Sequence, residues 1–138
     1  MSTLQPLGGH GAGPANAFDR ALASPRIGLA LILATLLLSF FWGIGGPPLY
    51  DLDEGAFTEA TREMIASGNY ITPHKDGEPR YDKPALIYWL QAGSVHVLGL
   101  NELALRLPSA LAASLWVLAL WGFVRERLDP GTATVAAL

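Results

Sequence analysis

The run from Ile27 to Ile44, eighteen residues without a charge, most constrains what this chain can fold into. At ~1.5 Å per residue a helix over that run is about 27 Å long, which with its flanks crosses a hydrocarbon core of ~30 Å. The alternative is a cleaved signal peptide, whose apolar region is normally ~7–15 residues and ends at small residues. This run ends in Phe40-Phe41-Trp42-Gly43, so a transmembrane helix over 27–44 is the better reading. Composition agrees. Hydrophobic residues make up 51% of the chain and charged ones 15%, against about 25% charged in an ordinary soluble domain. The all-α integral membrane class follows.

Residues 1–26, rich in Gly, Ala, Pro and Ser, show no helical or strand period and read as a disordered cytoplasmic tail. Arg20 and Arg26 precede the apolar run, and no further Lys or Arg appears before Arg62. That asymmetry puts the N-terminus in the cytoplasm and Phe41 and Trp42 at the far interface. The net charge of −3, with cations scattered rather than clustered, gives no basic stripe for nucleic acid. The absence of cysteine excludes disulfides and thiolate metal sites within these residues.

Gly45-Gly46-Pro47-Pro48 breaks the first helix and opens an outer, periplasmic loop over 45–103. Within it Ala56, Phe57, Ala60 and Met64 recur at helical spacing while Glu59, Arg62 and Glu63 fall on the opposite, solvated arc. An amphipathic helix over about 54–67 is expected, with Asp53 as its N-cap and Gly68 as its stop. Asp76-Gly77 between two short arms is a weak hairpin signal, weakened further by Pro73 and Pro79, and Tyr70–Tyr81 is read as an ordered loop. Two apolar segments follow, 84–100 and 108–124. The first carries Gln91, Ser94 and His96; the second has nothing more polar than serine and indole and is followed by Arg125 and Arg127. If both crossed, those arginines would lie outside; if only the second crosses, they lie in the cytoplasm, as charge asymmetry prefers. The preferred arrangement is an interfacial helix over about 84–100, a transmembrane helix over 104–124, and a cytoplasmic turn leading into a further span over 125–138.

Several of these segments, in this order, carry a resemblance. Asp53-Glu54 at the head of an amphipathic helix, Arg62-Glu63-Met64, Ser67-Gly68-Asn69, Tyr81-Asp82-Lys83-Pro84, Tyr88-Trp89-Leu90, Asn101-Glu102 and Leu105-Arg106-Leu107-Pro108-Ser109-Ala110 resemble the start of bacterial GT-C glycosyltransferases. The nearest groups are the protein mannosyltransferase and aminoarabinose (lipid A) transferase families. The resemblance implies an enzyme of a bacterial inner membrane, multi-pass, that moves a sugar from a polyprenyl-phosphate donor to a lipid, protein or glycan hydroxyl at the periplasmic face. Its further spans would lie beyond Leu138, and these residues alone are expected to be inactive. Related oligosaccharyl transferases or flippase-like proteins would diverge in those later parts. A non-catalytic membrane protein, a relic or a small lipid- or partner-binding subunit, is the alternative.

Such a transfer needs a carboxylate near the acceptor proton, cations at the leaving phosphate, and a dry site at the lipid interface. Asp53 is the candidate general base and Glu54 a supporting acid. Lys83 is the candidate for the donor phosphate, because an ammonium beside the interface reaches a lipid-linked phosphate as a point charge. Arg106, in an apolar setting where a charge is costly, is expected to meet a phosphate or Glu102. Asp82 would orient Lys83 or, as in some relatives of this type, hold a divalent metal with ligands beyond Leu138. The chain departs from the pattern at Ala56, where relatives often carry Arg, and at Ala85, where they often carry a second Pro.

Overall fold

The computed structural model describes residues 17–50 and 52–138; residues 1–16 of the expected tail lie outside the described residues. The chain is mostly helical, with elements α1 (Ala17–Ala23), α2 (Pro25–Leu36), a π-helical segment (Leu37–Phe41), α3 (Asp53–Ser67), β1 (His74–Lys75), β2 (Glu78–Pro79), α4 (Leu86–Leu98), α5 (Glu102–Arg127) and α6 (Pro130–Ala137). It divides into two units, one of residues up to Ile32 with Leu120–Leu138, the other Leu33–Ala119. Among the described residues α5, with 26 residues, is the one helix long and apolar enough to cross a membrane. The apolar helix Pro25–Phe41 is shorter, and α4 has 13 residues, about 20 Å at ~1.5 Å per residue.

In the first unit, α1 is helical where the sequence reading expects a structureless tail. It packs on α6, where the single Thr134 hydroxyl proton is shared between the Pro130 carbonyl of its own helix (2.8 Å) and the Leu22 carbonyl of α1 (3.2 Å). Gly28 of α2 lies so close to Thr134 that a Cβ would collide with Oγ1. Asp129 caps α6, accepting from the Thr132 N–H at 3.0 Å, with Pro130 in the first turn.

In the second unit the first apolar helix ends in a wide turn, the Trp42 N–H donating to the Leu37 carbonyl five residues back (2.9 Å). The Gly-Pro stretch after it then leads to α3. This helix buries Ala56, Ala60, Thr61 and Met64, one stripe at helical spacing, and presents it to Tyr88, Gln91 and Ala92 of α4. Ala60, Met64 and Tyr88 form the core, with Phe57 and Ile87 against them and the Phe57 and Tyr88 rings 5.5 Å apart. Gly68 ends α3 as expected, its N–H on the Met64 carbonyl at 3.0 Å. Asp53, however, is not the cap: Leu52 occupies that position without a side-chain bond, and Asp53 already lies in the first helical turn. Acidic groups in that turn complement the helix dipole without capping it.

Asp76 and Gly77 have φ of 56° and 80°, the double left-handed turn that an Asp-Gly pair favours, and the flanking residues pair as a two-residue hairpin. The expected loop is therefore a hairpin. Pro73 and Pro79 do not prevent it, because Pro79 lies at the end of its strand and the following Arg80 N–H closes the base on the Pro73 carbonyl (2.8 Å). Asn101 joins α4 to α5, its amide donating to the Leu98 carbonyl (2.8 Å) while its oxygen accepts the Ala104 N–H (2.9 Å). A buried polar chain then binds three helices: Thr61 Oγ1 donates to Gln91 Oε1 (2.8 Å) and Gln91 Nε2 to the Leu105 carbonyl (3.0 Å).

Candidate active site

The head of α3, the middle of α4 and the first turns of α5 enclose a cleft of about 300 Å³. Its walls are Leu49, Phe57, Ile87 and Leu105, and its polar groups are Asp53, Glu54, Thr58, Gln91, Arg106 and Ser109. A larger groove between α4 and α5, about 460 Å³, carries no ionisable side chain.

Two adjacent carboxylates enter the cleft in different conditions. Glu54 is held: Oε1 accepts from Arg106 Nε and Oε2 from Arg106 Nη2, both at 2.8 Å, and Oε2 also accepts the Tyr50 N–H at 2.8 Å. The hydrogen bonds from Arg106 are the main reason its carboxyl falls from the usual range to about 2, with the Tyr50 amide adding to the effect and partial burial opposing it. Asp53, one residue earlier, is exposed and carries no hydrogen bond to a described residue.

The sequence reading expected Arg106 to meet a phosphate or Glu102. The structure gives it Glu54 instead, across 52 residues of chain. Its Nη1 donates to the Ile44 and Pro47 carbonyls at 2.9 Å each, and Nη2 to the Pro48 carbonyl at 3.0 Å. With the two bonds to Glu54, all five guanidinium N–H groups are engaged. Pro47 and Pro48 lie in the irregular stretch between the end of the first helix at Phe41 and α3, where their carbonyls have no helical partner, and Arg106 donates to both. One guanidinium thus fastens the end of the first helix, the head of α3 and the start of α5.

Lys83 is exposed in the turn before α4 and does not line the cleft that holds Asp53. Asp82 pairs with Arg80 (Nη2 to Oδ2, 3.1 Å) rather than with Lys83. One exposed carboxylate already facing a guanidinium does not fit a divalent metal. Elsewhere Glu59, Glu63 and Asp76 bring carboxylate oxygens within 4.8 Å of one another, but Arg62 stands 2.6 Å from Glu59 and Lys75 2.6 Å from Asp76. Two of these acids are thus already paired with cations, and Glu63 accepts the Gly77 N–H; on the face read as solvated from the sequence, Arg62 is exposed and Glu59 and Glu63 are half-buried.

Sequence reasoning missed Arg80 and gave Gln91 too small a part. Arg80 directly precedes the Tyr81-Asp82-Lys83-Pro84 segment, and its side chain is 15% exposed and held by three groups. In the sequence Gln91 marks α4 as too polar to cross; in the structure it is buried and finds both partners inside the protein. An amide in an apolar helix requires such partners, and that requirement was the available signal.

Residues 82–138 match the family model for dolichyl-phosphate-mannose-protein mannosyltransferase. Among curated proteins the chain is 35% identical over 117 residues to an undecaprenyl phosphate-alpha-4-amino-4-deoxy-L-arabinose arabinosyl transferase 2 of Pseudomonas fluorescens, covering 83% of this chain and 21% of that protein. A transferase of the same description from Pseudomonas savastanoi is 38% identical over 89 residues (64% of this chain, 17% of that protein), and one from Aeromonas hydrophila 34% over 79 residues (57% and 14%). The chain therefore spans about a fifth or less of the length of these relatives. No solved structure matches it. In these residues the chain resembles the GT-C membrane glycosyltransferases, of the protein mannosyltransferase and aminoarabinose transferase kind.

Proposed function

We propose that this chain forms part of a membrane glycosyltransferase that moves a sugar from a polyprenyl-phosphate donor to a lipid, protein or glycan hydroxyl at the periplasmic face of a bacterial inner membrane. The observation that carries this reading is that an exposed Asp53 and a Glu54 bonded to Arg106 line one cleft, in a chain similar to transferases named for undecaprenyl-phosphate-linked sugars. Asp53 is the general base. It takes the acceptor hydroxyl proton as that oxygen attacks the anomeric carbon, and the bond to the polyprenyl phosphate breaks with its electron pair on the phosphate. Lys83 offsets the charge that develops there. Glu54, already bonded to a guanidinium and to an amide, is not a proton carrier; with Arg106 it is the scaffold of the α3 head.

α4, too short for a full crossing at about 20 Å, lies along the interface, and α5 spans. The test is transfer of radiolabelled sugar from undecaprenyl-phosphate-linked donors by membranes containing the full-length protein. Transfer is expected in wild type and absent in Asp53→Asn at equal abundance. No transfer in either, across a broad donor panel, favours a non-catalytic membrane protein.

A further inference from the structure

The turn that carries Lys83 is anchored through a residue to which no role has been assigned. Arg80 is held from four directions. Its backbone N–H donates to the Pro73 carbonyl at 2.8 Å, fixing it to the base of the hairpin. Its Nε donates to the hydroxyl of Tyr88, a fully buried core residue of α4, at 3.0 Å. Its Nη2 stands 3.1 Å from Asp82 Oδ2, and its Cζ lies 5.6 Å from the centre of the Phe57 ring, which is a wall of the Asp53 cleft.

We propose that Arg80 is a positioning residue, a latch that fixes the Asp82-Lys83-Pro84 turn to the wall of the Asp53 cleft and so presets where the Lys83 ammonium meets an anionic lipid headgroup. This deepens the reading of Lys83 as the donor-phosphate contact and rests on it. Lys83 is held on both sides of its backbone. Asp82, before it, is tied by the guanidinium, and Pro84, after it, restricts Lys83 to extended conformations. The side chain remains exposed, so order is supplied to the backbone and not to the ammonium. A cation held this way loses less freedom when the phosphate arrives, which strengthens binding without any contact between Arg80 and the ligand. Lysine at position 80 would keep the charge but could not bridge Tyr88 and Asp82 while stacking on Phe57, because those contacts need a planar fork of donors.

Two measurements on the chain in lipid nanodiscs test the latch. The first is the affinity for undecaprenyl phosphate against uncharged undecaprenol, read by tryptophan fluorescence. Arg80→Met is expected to weaken phosphate binding roughly three- to tenfold and Asp82→Asn roughly two- to fivefold, the latter being the size of an exposed pair. The double variant should be no weaker than Arg80→Met, since both break one connection, and undecaprenol binding should not change. Arg80→Lys should not rescue. The second uses the absence of cysteine: a spin label at Tyr81→Cys, 79% exposed, should become more mobile in both Arg80→Met and Asp82→Asn. If wild type binds the two lipids equally, the reading of Lys83 fails and the inference with it. If Lys83→Ala loses discrimination while Arg80→Met keeps it, or the label's mobility is unchanged, the latch alone is overturned. Equal loss of both lipids in Arg80→Met would make Arg80 a folding residue.

Discussion

Replacing Arg106 by Met keeps most of the apolar stem of the side chain and removes five N–H donors at once. All five bonds have the charged guanidinium as donor, and hydrogen bonds to charged groups contribute about 1.5–3 kcal/mol each, so a bare sum is about 8–15 kcal/mol. That sum is too large. The Glu54 side chain is 35% exposed and water reaches the groups Arg106 leaves, so most of those bonds are re-formed to solvent. About 2–3 kcal/mol should remain. The loss is local, and amide hydrogen exchange reads it. The Tyr50 N–H is bonded to Glu54 and the Gly55 N–H to the Tyr50 carbonyl, so both amides sit inside the lock. At ~1.4 kcal/mol per factor of ten, Arg106→Met should speed their exchange roughly 30- to 150-fold, while amides of Ala60 and Met64 in the α3 core keep their protection. Arg106→Lys, with at most three donors and no fork, should give an intermediate change of roughly tenfold. Rates within about threefold of wild type at Tyr50 and Gly55 in Arg106→Met would refute the reasoning.

Gln91→Leu should lower thermal stability by about 1–3 kcal/mol, because it strands the buried Thr61 hydroxyl; a melting temperature equal to wild type would mean that water replaces the amide. Gly28→Ala should destabilise the first unit through collision with Thr134, and Thr134→Ala should restore it; no rescue in the double variant would place the strain elsewhere. The folded carboxyl of Glu54, lowered to about 2, is depressed, so its stabilising effect is fully present above the ordinary glutamate value of ~4.3. It is lost as pH falls from there through about 2. Wild type should therefore lose stability relative to Glu54→Gln across that window in unfolding followed by tryptophan fluorescence, and a constant difference would contradict the pairing.

Helices with periodic apolar faces were legible in the sequence. α3 and α4 begin and end within a few residues of expectation, because their core stripes and the stop at Gly68 are local signals. The hairpin at Asp76-Gly77 is visible in its turn residues; of the two prolines that weaken the signal, Pro73 precedes β1 and Pro79 is the last paired residue of β2, and both are tolerated there. What could not be read was pairing at long range. Nothing local says that Arg106 reaches back 52 residues to Glu54 rather than to its own-helix neighbour Glu102. The unpaired carbonyls of Ile44, Pro47 and Pro48 beside Glu54 are the physical reason, and they come together only when the chain is folded. The motif Asp53-Glu54 was legible as a pair of acids, but its division into an exposed and a bound carboxylate depends on that distant guanidinium. α1 was missed because its partner, Thr134, lies 112 residues away.

The central claim is that these two neighbouring carboxylates do different work, and one paired measurement tests it: transfer rate and Tyr50 amide exchange in Asp53→Asn and in Glu54→Gln, each in the full-length protein. The account predicts that Asp53→Asn abolishes transfer with exchange unchanged, and that Glu54→Gln speeds exchange while retaining measurable transfer. Normal turnover in Asp53→Asn, or complete loss of turnover in Glu54→Gln with Tyr50 protection intact, would contradict it.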